Sequence, residues 1–139
     1  MVAETQKTVL IIEDDPVVRG ILELNLVDEG YTIISAEDGI EGVRTATEKL
    51  PGIILMDMRL PGLTGWEATQ RLKSQPETNH IPIVALTAQS TSEDLRRCFE
   101  AGCDAFMTKP IQFTQLFTKI EMLINRSMKY VASGRPAPR

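Results

Sequence analysis

Cysteine is nearly absent: Cys98 and Cys103 are the only two in 139 residues. They lie five apart, and the only histidine is His80, so the chain spells out neither a disulfide framework nor a zinc site with its set of ligands. Both thiols are expected to be free and buried or half-buried. No apolar run approaches the roughly 20 residues of a membrane span, and the opening MVAETQKT lacks the apolar stretch of a signal peptide. The expected location is the cytoplasm. Basic residues are outnumbered by acidic ones, 15 to 19, giving a net charge of -4. Gripping nucleic acid takes a clustered basic face, which this sequence never assembles, so direct nucleic-acid binding is not expected.

What is present is a hydrophobic share of 42%, enough to bury one core in a chain too short for two ordinary domains. Short branched apolar runs alternate with longer amphipathic stretches, the pattern of a parallel sheet with crossover helices. The strands are predicted at Val9 to Ile12, Thr32 to Ser35, Ile53 to Met56, Ile83 to Leu86 and Ala105 to Met107. Helices are predicted at Pro16 to Glu29, Ile40 to Lys49, Gly65 to Ser74, Ser92 to Ala101, and Thr114 to about Ser127. Pro16 suits a first helical turn, while Gly30, Gly52 and Gly102 follow helical runs, where positive φ is wanted. Phe113, Leu116, Phe117, Ile120, Leu123 and Ile124 recur at helical spacing as a core-facing stripe. Right-handed crossovers favour a doubly wound, flavodoxin-like α/β sheet in strand order 2-1-3-4-5. One domain over residues 7–127 is expected, with flexible tails at 1–6 and 132–139, the latter containing SGRPAPR.

In open α/β sheets the functional crevice lies beyond the carboxyl ends of the strands. Here those ends are polar: Glu13, Asp14 and Asp15 after the first, Asp57 after the third, Thr87 after the fourth, and Thr108, Lys109 and Pro110 after the fifth. With strands about 4.8 Å apart, Asp14, Asp15, Asp57, Thr87 and Lys109 should share one edge. Carboxylates about 5 Å apart repel by roughly 3 kcal/mol per pair at an effective dielectric of about 20. Lys109 offsets one charge, and a hard divalent cation, with Mg²⁺ the natural candidate, would offset the rest. A lone strand-end aspartate is ordinarily a loop cap or a solvated group, but for the whole set at successive strand ends a cation-holding functional site is the better reading, and an aspartate carboxylate can act as a nucleophile in phosphoryl transfer. Thr87 brings a hydroxyl donor, Ala88 is small enough to leave access, and Lys109 before Pro110 admits a cis peptide bond.

The stretches VLIIEDDP, GIILMDMRLPGLTGWE, IPIVALTA and DAFMTKP, in that order, resemble the receiver domains of two-component response regulators, and the resemblance runs from about Lys7 to Arg126. It implies a CheY-like (βα)5 fold and a Mg²⁺-dependent phosphoacceptor, not a turnover enzyme. By that resemblance Asp57 would be phosphorylated. Asp15 and Asp57 would hold Mg²⁺ by carboxylate, Asp14 directly or through water, and Arg59 by its backbone carbonyl. Thr87 would hydrogen-bond the phosphoryl group and Lys109 would pair with it. Thr87 and Phe106 would be the switch, altering the face made by the fourth helix, fifth strand and fifth helix; Phe106 lacks the hydroxyl of the tyrosine also common there.

The implied partners are a sensor histidine kinase or a histidine phosphotransfer protein and a downstream protein target, for a stand-alone monomer or a phosphorylation-dependent dimer. Arg59 and Gln89 would border the phosphoryl group and tune its lifetime. Trp66 is expected to be partly buried, and His80 to be an ordinary loop residue. Three other readings compete. A haloacid dehalogenase-type hydrolase needs an aspartate where Arg59 stands, and a flavodoxin-like nucleotide module would meet repulsion from Glu13, Asp14 and Asp15. A receiver-like scaffold would work without phosphorylation.

Overall fold

The computed structural model describes residues 7–88 and 91–132. Five strands alternate with five helices: β1 (Thr8–Ile12), α1 (Pro16–Asp28), β2 (Thr32–Ala36), α2 (Gly39–Lys49), β3 (Ile53–Asp57), α3 (Gly65–Ser74), β4 (Ile83–Thr87), α4 (Ser92–Ala101), β5 (Ala105–Thr108) and α5 (Phe113–Ala132). All strand pairs are parallel, and the sheet order is β2-β1-β3-β4-β5. This is the doubly wound, CheY-like α/β architecture that the alternation of apolar runs predicts.

Strand periodicity divides the core in two. Leu10, Ile12, Ile54, Met56, Ile83 and Ala85 face the side that carries Ala46, Trp66, Leu72 and Cys98. Their neighbours Val9, Ile11, Ile53, Leu55, Val84 and Leu86 face Leu22, Leu26, Leu116, Ile120 and Leu123. With helices on both faces the central strands need no polar side, which is why β3 and β4 are buried throughout. Each such Leu or Ile contributes about 1.5–3 kcal/mol of burial, so the central strands are firmly anchored where they end in Asp57 and Thr87.

Helix ends follow local chemistry. Asp15, Asp38, Thr64 and Thr91 cap the first four helices through their side-chain oxygens, and Thr64 with Glu67 forms a reciprocal capping box. Gly30 and Gly102 take positive φ as expected, but Gly52 does not: α2 closes on Leu50 at φ 48°, immediately before Pro51. Since proline disfavours continued helix in the residue ahead of it, the chain turns at Leu50 itself. α5 runs to Ala132, past the predicted end at Ser127. The predicted tail therefore overlaps the helix at Ala132, and its remainder, like residues 1–6, lies outside the described residues. Among the described residues no helix is long and apolar enough to cross a membrane.

At the edge of the sheet opposite the strand C-termini, Lys73 joins three elements. Its ammonium donates to the carbonyls of Asn79 at 3.3 Å and Ile81 at 2.8 Å and pairs with Asp104 at 3.0 Å. Asp104 also accepts from the Ile83 N–H and from Arg126. Both Lys73 and Asp104 are buried, with side-chain exposures of 3% and 6%, and the surrounding donors and acceptors satisfy them.

Candidate phosphoacceptor site

The parallel register lines up the strand ends. Met58 donates its N–H to the Leu86 carbonyl at 3.1 Å, and Lys109 donates its own to the Thr87 carbonyl at 2.8 Å. β3, β4 and β5 thus deliver Asp57, Thr87 and Lys109 to a common crevice, while Glu13 continues the line of β1 by donating to the Ala36 carbonyl at 3.1 Å.

One oxygen from each of Glu13, Asp14 and Asp57 lies within 4.8 Å of the others. Glu13 and Asp57 are buried, at 1% and 4% exposure, and Asp14 is exposed. The Lys109 ammonium reaches into this group, 2.9 Å from Glu13 Oε1 and 3.7 Å from Asp57 Oδ2. Asp57 Oδ1 accepts the Arg59 backbone N–H at 3.1 Å. The loop after Asp57 folds back tightly, with the Gly65 N–H donating to the Met58 carbonyl at 3.0 Å. A Cβ at Gly65 would run into the Asp57 carbonyl and the Met58 backbone. Glycine here is a packing requirement for the position of Asp57.

Asp15 does not join the cluster. Its Oδ1 accepts the N–H groups of Val17 at 2.9 Å and Val18 at 3.4 Å, and its own N–H donates to Glu13 Oε2 at 3.2 Å. It is the N-cap of α1, and the third carboxylate beside Asp14 and Asp57 is that of Glu13. The sequence held the signal: an aspartate directly before a helix-starting proline is a capping residue.

Three carboxylates face one ammonium, and the electrostatics show the strain. Burial pushes the Glu13 carboxyl up to about 7; the Lys109 hydrogen bond pulls the other way, while the nearby Asp57 adds to the rise. Burial alone would lower the Lys109 pKa, but the Glu13 hydrogen bond and the charges of Asp57 and Glu13 outweigh it and hold the ammonium above its ordinary range. Excess negative charge of this kind is relieved by a proton on Glu13 or by a cation. An oxygen-only set rich in carboxylates suits a hard divalent ion such as Mg²⁺, and the residues present fit one.

Thr87 is buried at the end of β4, its strand partner being Thr108. Ala88 is exposed beside it. Phe106 lies half-buried in β5, edge-on to Phe99 of α4 with centroids 6.1 Å apart. The Lys109–Pro110 bond is cis. The Arg59 guanidinium points toward α4, 3.8 Å from Asp94 and 5.2 Å from the centre of the Trp66 ring. Trp66 is buried rather than partly exposed. His80 is half-buried in the turn before β4, where burial first and then Lys73 lower its pKa. Gln89 lies outside the described residues.

Comparison with known proteins agrees with this geometry. Residues 9–121 match the family "Response regulator receiver domain". The chain is 35% identical over 115 residues to the polar-differentiation response regulator DivK of Brucella anthropi, covering 83% of this chain and 94% of DivK. It is 34% identical over 119 residues to the DNA-binding dual master transcriptional regulator RpaA of Synechocystis, covering 86% of this chain but 49% of RpaA. The chain thus spans about half of RpaA, and only 29% of the Caulobacter vibrioides response regulator PleD. Among solved structures, a response regulator from Chloroflexus aurantiacus superposes with a TM-score of 0.83 at 33% identity, covering 86% of this chain and 98% of that one. The receiver domain of a Pseudomonas aeruginosa sensor histidine kinase, with magnesium coordinated in its active-site cleft, gives 0.80 at 35% identity over 85% and 97% of the two chains. The acidic edge of this parallel sheet and the sequence match to the family agree, and the chain belongs to the response regulator receiver domain family.

Proposed function

We propose that this chain is a phosphorylation switch in which Asp57 accepts a phosphoryl group from a histidine kinase or a histidine phosphotransfer protein. The observation that carries the proposal is the Glu13–Asp14–Asp57 carboxylate group bridged by Lys109 at the carboxyl edge of the sheet. Glu13, Asp14 and Asp57 would hold Mg²⁺, with the Arg59 carbonyl as a further oxygen donor. The bound ion would supply neutralisation of the charge that develops as two anions approach.

The chain's own residues do the rest. An Asp57 carboxylate oxygen attacks the phosphorus, and the donor's bond to that phosphorus breaks. Lys109, already held between Glu13 and Asp57, pairs with the transferred oxygens. The Arg59 backbone N–H fixes the orientation of the acceptor carboxylate. The Thr87 hydroxyl donates to a phosphoryl oxygen.

The signal would then pass through Thr87 and Phe106 to the α4-β5-α5 face. Phe106 already touches α4 through Phe99, so a rotamer change there alters what α4 packs against. Phosphorylation shifts an equilibrium that exists without it. On the donor side, Val17, Ile21 and Leu24 lie exposed on α1, and Ile21 lines an apolar groove with Val18, Pro110 and Phe113 beside Lys109. That surface suits a partner delivering a phosphoryl group to the crevice. In this reading the domain acts on a protein target and turns over no external substrate.

The test is intact-mass analysis after incubation with acetyl phosphate, with and without Mg²⁺, beside Asp57→Asn. One phosphoryl adduct that needs Mg²⁺ and vanishes in the variant is expected. Neither an adduct nor phosphate release from the wild type would favour a scaffold that works without phosphorylation, and steady release without an adduct would favour a hydrolase.

A further inference from the structure

The two cysteines take no part in the phosphoacceptor crevice, yet the fold sets them side by side. α4 closes with paired backbone bonds: the Gly102 N–H donates to the Phe99 carbonyl at 3.1 Å and the Cys103 N–H to the Cys98 carbonyl at 3.0 Å, Gly102 standing at φ 110°. This Schellman closure brings together the side chain inside the last turn and the one just beyond the helix. Here those side chains are Cys98 and Cys103, both free and buried and near enough to act on each other, with the Cys103 S–H donating to Thr69 Oγ1 at 3.8 Å.

A second observation points at the same sulfur. Trp66, only 6% exposed, has no hydrogen-bond partner among the described residues for its buried indole N–H, and Cys98 is a neighbouring group whose ionisation it favours. An unmet buried donor costs about 1–3 kcal/mol, so an anionic sulfur or a sulfur-bound oxygen would be stabilised there. The Arg97 guanidinium stacks 3.7 Å above the same indole ring. The neighbouring Cys103 draws the Cys98 pKa down to about 7, with help from Trp66 and Arg97 and against burial and the charge of Asp94. The same proximity, together with burial, pushes Cys103 up. One thiol is thus biased to ionise and its neighbour to stay protonated, the division of labour between an attacking and a resolving cysteine.

We propose that Cys98 and Cys103 form a dithiol that a hydroperoxide oxidises to an intramolecular disulfide. The Cys98 thiolate attacks one peroxide oxygen; the O–O bond breaks, and the leaving oxygen takes up a proton to depart as water or an alcohol. Cys98 is left as a sulfenic acid, next to the Trp66 N–H. The Cys103 sulfur then attacks the Cys98 sulfur, the S–S bond forms and the S–O bond breaks. Hydroxide leaves with the Cys103 proton as water. Two thiols lose two electrons and the peroxide gains them. Because both sulfurs are buried, the reaction waits on opening of the last turn of α4 and runs slower than at an exposed thiol. The bond would tie that turn to the entry of β5, beside the Phe99–Phe106 contact.

The experiment treats the full chain with hydrogen peroxide, alkylates the remaining thiols, and maps peptides without reduction. The expected product is unalkylated, lighter by two hydrogens, and contains a Cys98–Cys103 cross-linked peptide that dithiothreitol releases. In Cys103→Ser, a dimedone adduct on Cys98 is expected, and Cys98→Ser should leave Cys103 reduced at the same dose. The wild-type map stands without either variant. Two alkylated thiols after treatment, sulfinic acid without a cross-link, or a disulfide only between chains would each overturn the proposal.

Discussion

With Mg²⁺ held as proposed, Glu13 should make its affinity a function of pH. In the metal-free protein its carboxyl titrates at about 7, raised by burial and by Asp57 against the pull of Lys109. A cation seated among Glu13, Asp14 and Asp57 must displace that proton, so the apparent Kd scales as one plus the ratio of protonated to ionised Glu13. That factor is about 11 at pH 6 and about 1.1 at pH 8, so Mg²⁺ should bind about tenfold more tightly at pH 8. Calorimetric titrations at the two pH values, each in buffers of different ionisation enthalpy, read both the Kd and the protons released. Glu13→Gln keeps a group that accepts from Lys109 but removes the titration, so its Kd should be weaker and nearly flat with pH. The same shift bears on stability. A carboxyl whose folded pKa lies above its ordinary 4.5 contributes stability below pH 4.5 that is lost as pH rises through about 7, up to about 3 kcal/mol. Metal-free Glu13→Gln should therefore gain on the wild type between those values. Equal wild-type affinities at pH 6 and pH 8 would refute the reasoning.

Lys109→Ala should slow phosphorylation by acetyl phosphate by an order of magnitude or more, because Asp57 and Glu13 lose the ammonium that pairs with both; time-resolved intact mass measures it. Gly65→Ala should cost about 1–3 kcal/mol in urea unfolding and slow phosphorylation as well, since the added methyl displaces the backbone at Asp57 and Met58. Asp104→Ala leaves Lys73 buried without its carboxylate and should cost about 3–5 kcal/mol in the same assay, with the acetyl phosphate reaction otherwise intact under folding conditions. Thr64→Ala removes one half of the α3 capping box and should cost about 1 kcal/mol.

The strands were legible because two-sided burial writes near-continuous apolar runs such as Ile53–Met56, and the polar residue that ends each run marks the crevice. Asp57, Thr87 and Lys109 stand at those ends, and the structure brings Asp57 and Lys109 to within 3.7 Å. After the first strand, Glu13 and Asp14 join the carboxylate group while Asp15 caps α1. In the run Glu13-Asp14-Asp15-Pro16 all three acids are candidates by type, and the cap chemistry before Pro16 is what removes Asp15 from the crevice. Gly52 misled for a related reason, since Pro51 forces the turn earlier, onto Leu50. The contact between Cys98 and Cys103 depends on the left-handed turn at Gly102, and the leaning of Arg59 toward Asp94 and Trp66 depends on where α4 packs. Neither is written in local spacing.

The central claim is that Asp57 carries the phosphoryl group, and chemical trapping tests it most directly. Borohydride reduction of an aspartyl phosphate converts that residue to homoserine, which peptide sequencing locates. After treatment with acetyl phosphate and Mg²⁺, homoserine is predicted at position 57 and nowhere else. Homoserine at Asp14, Asp15 or another carboxylate, or a phosphoryl group held on a hydroxyl or on His80, would contradict it.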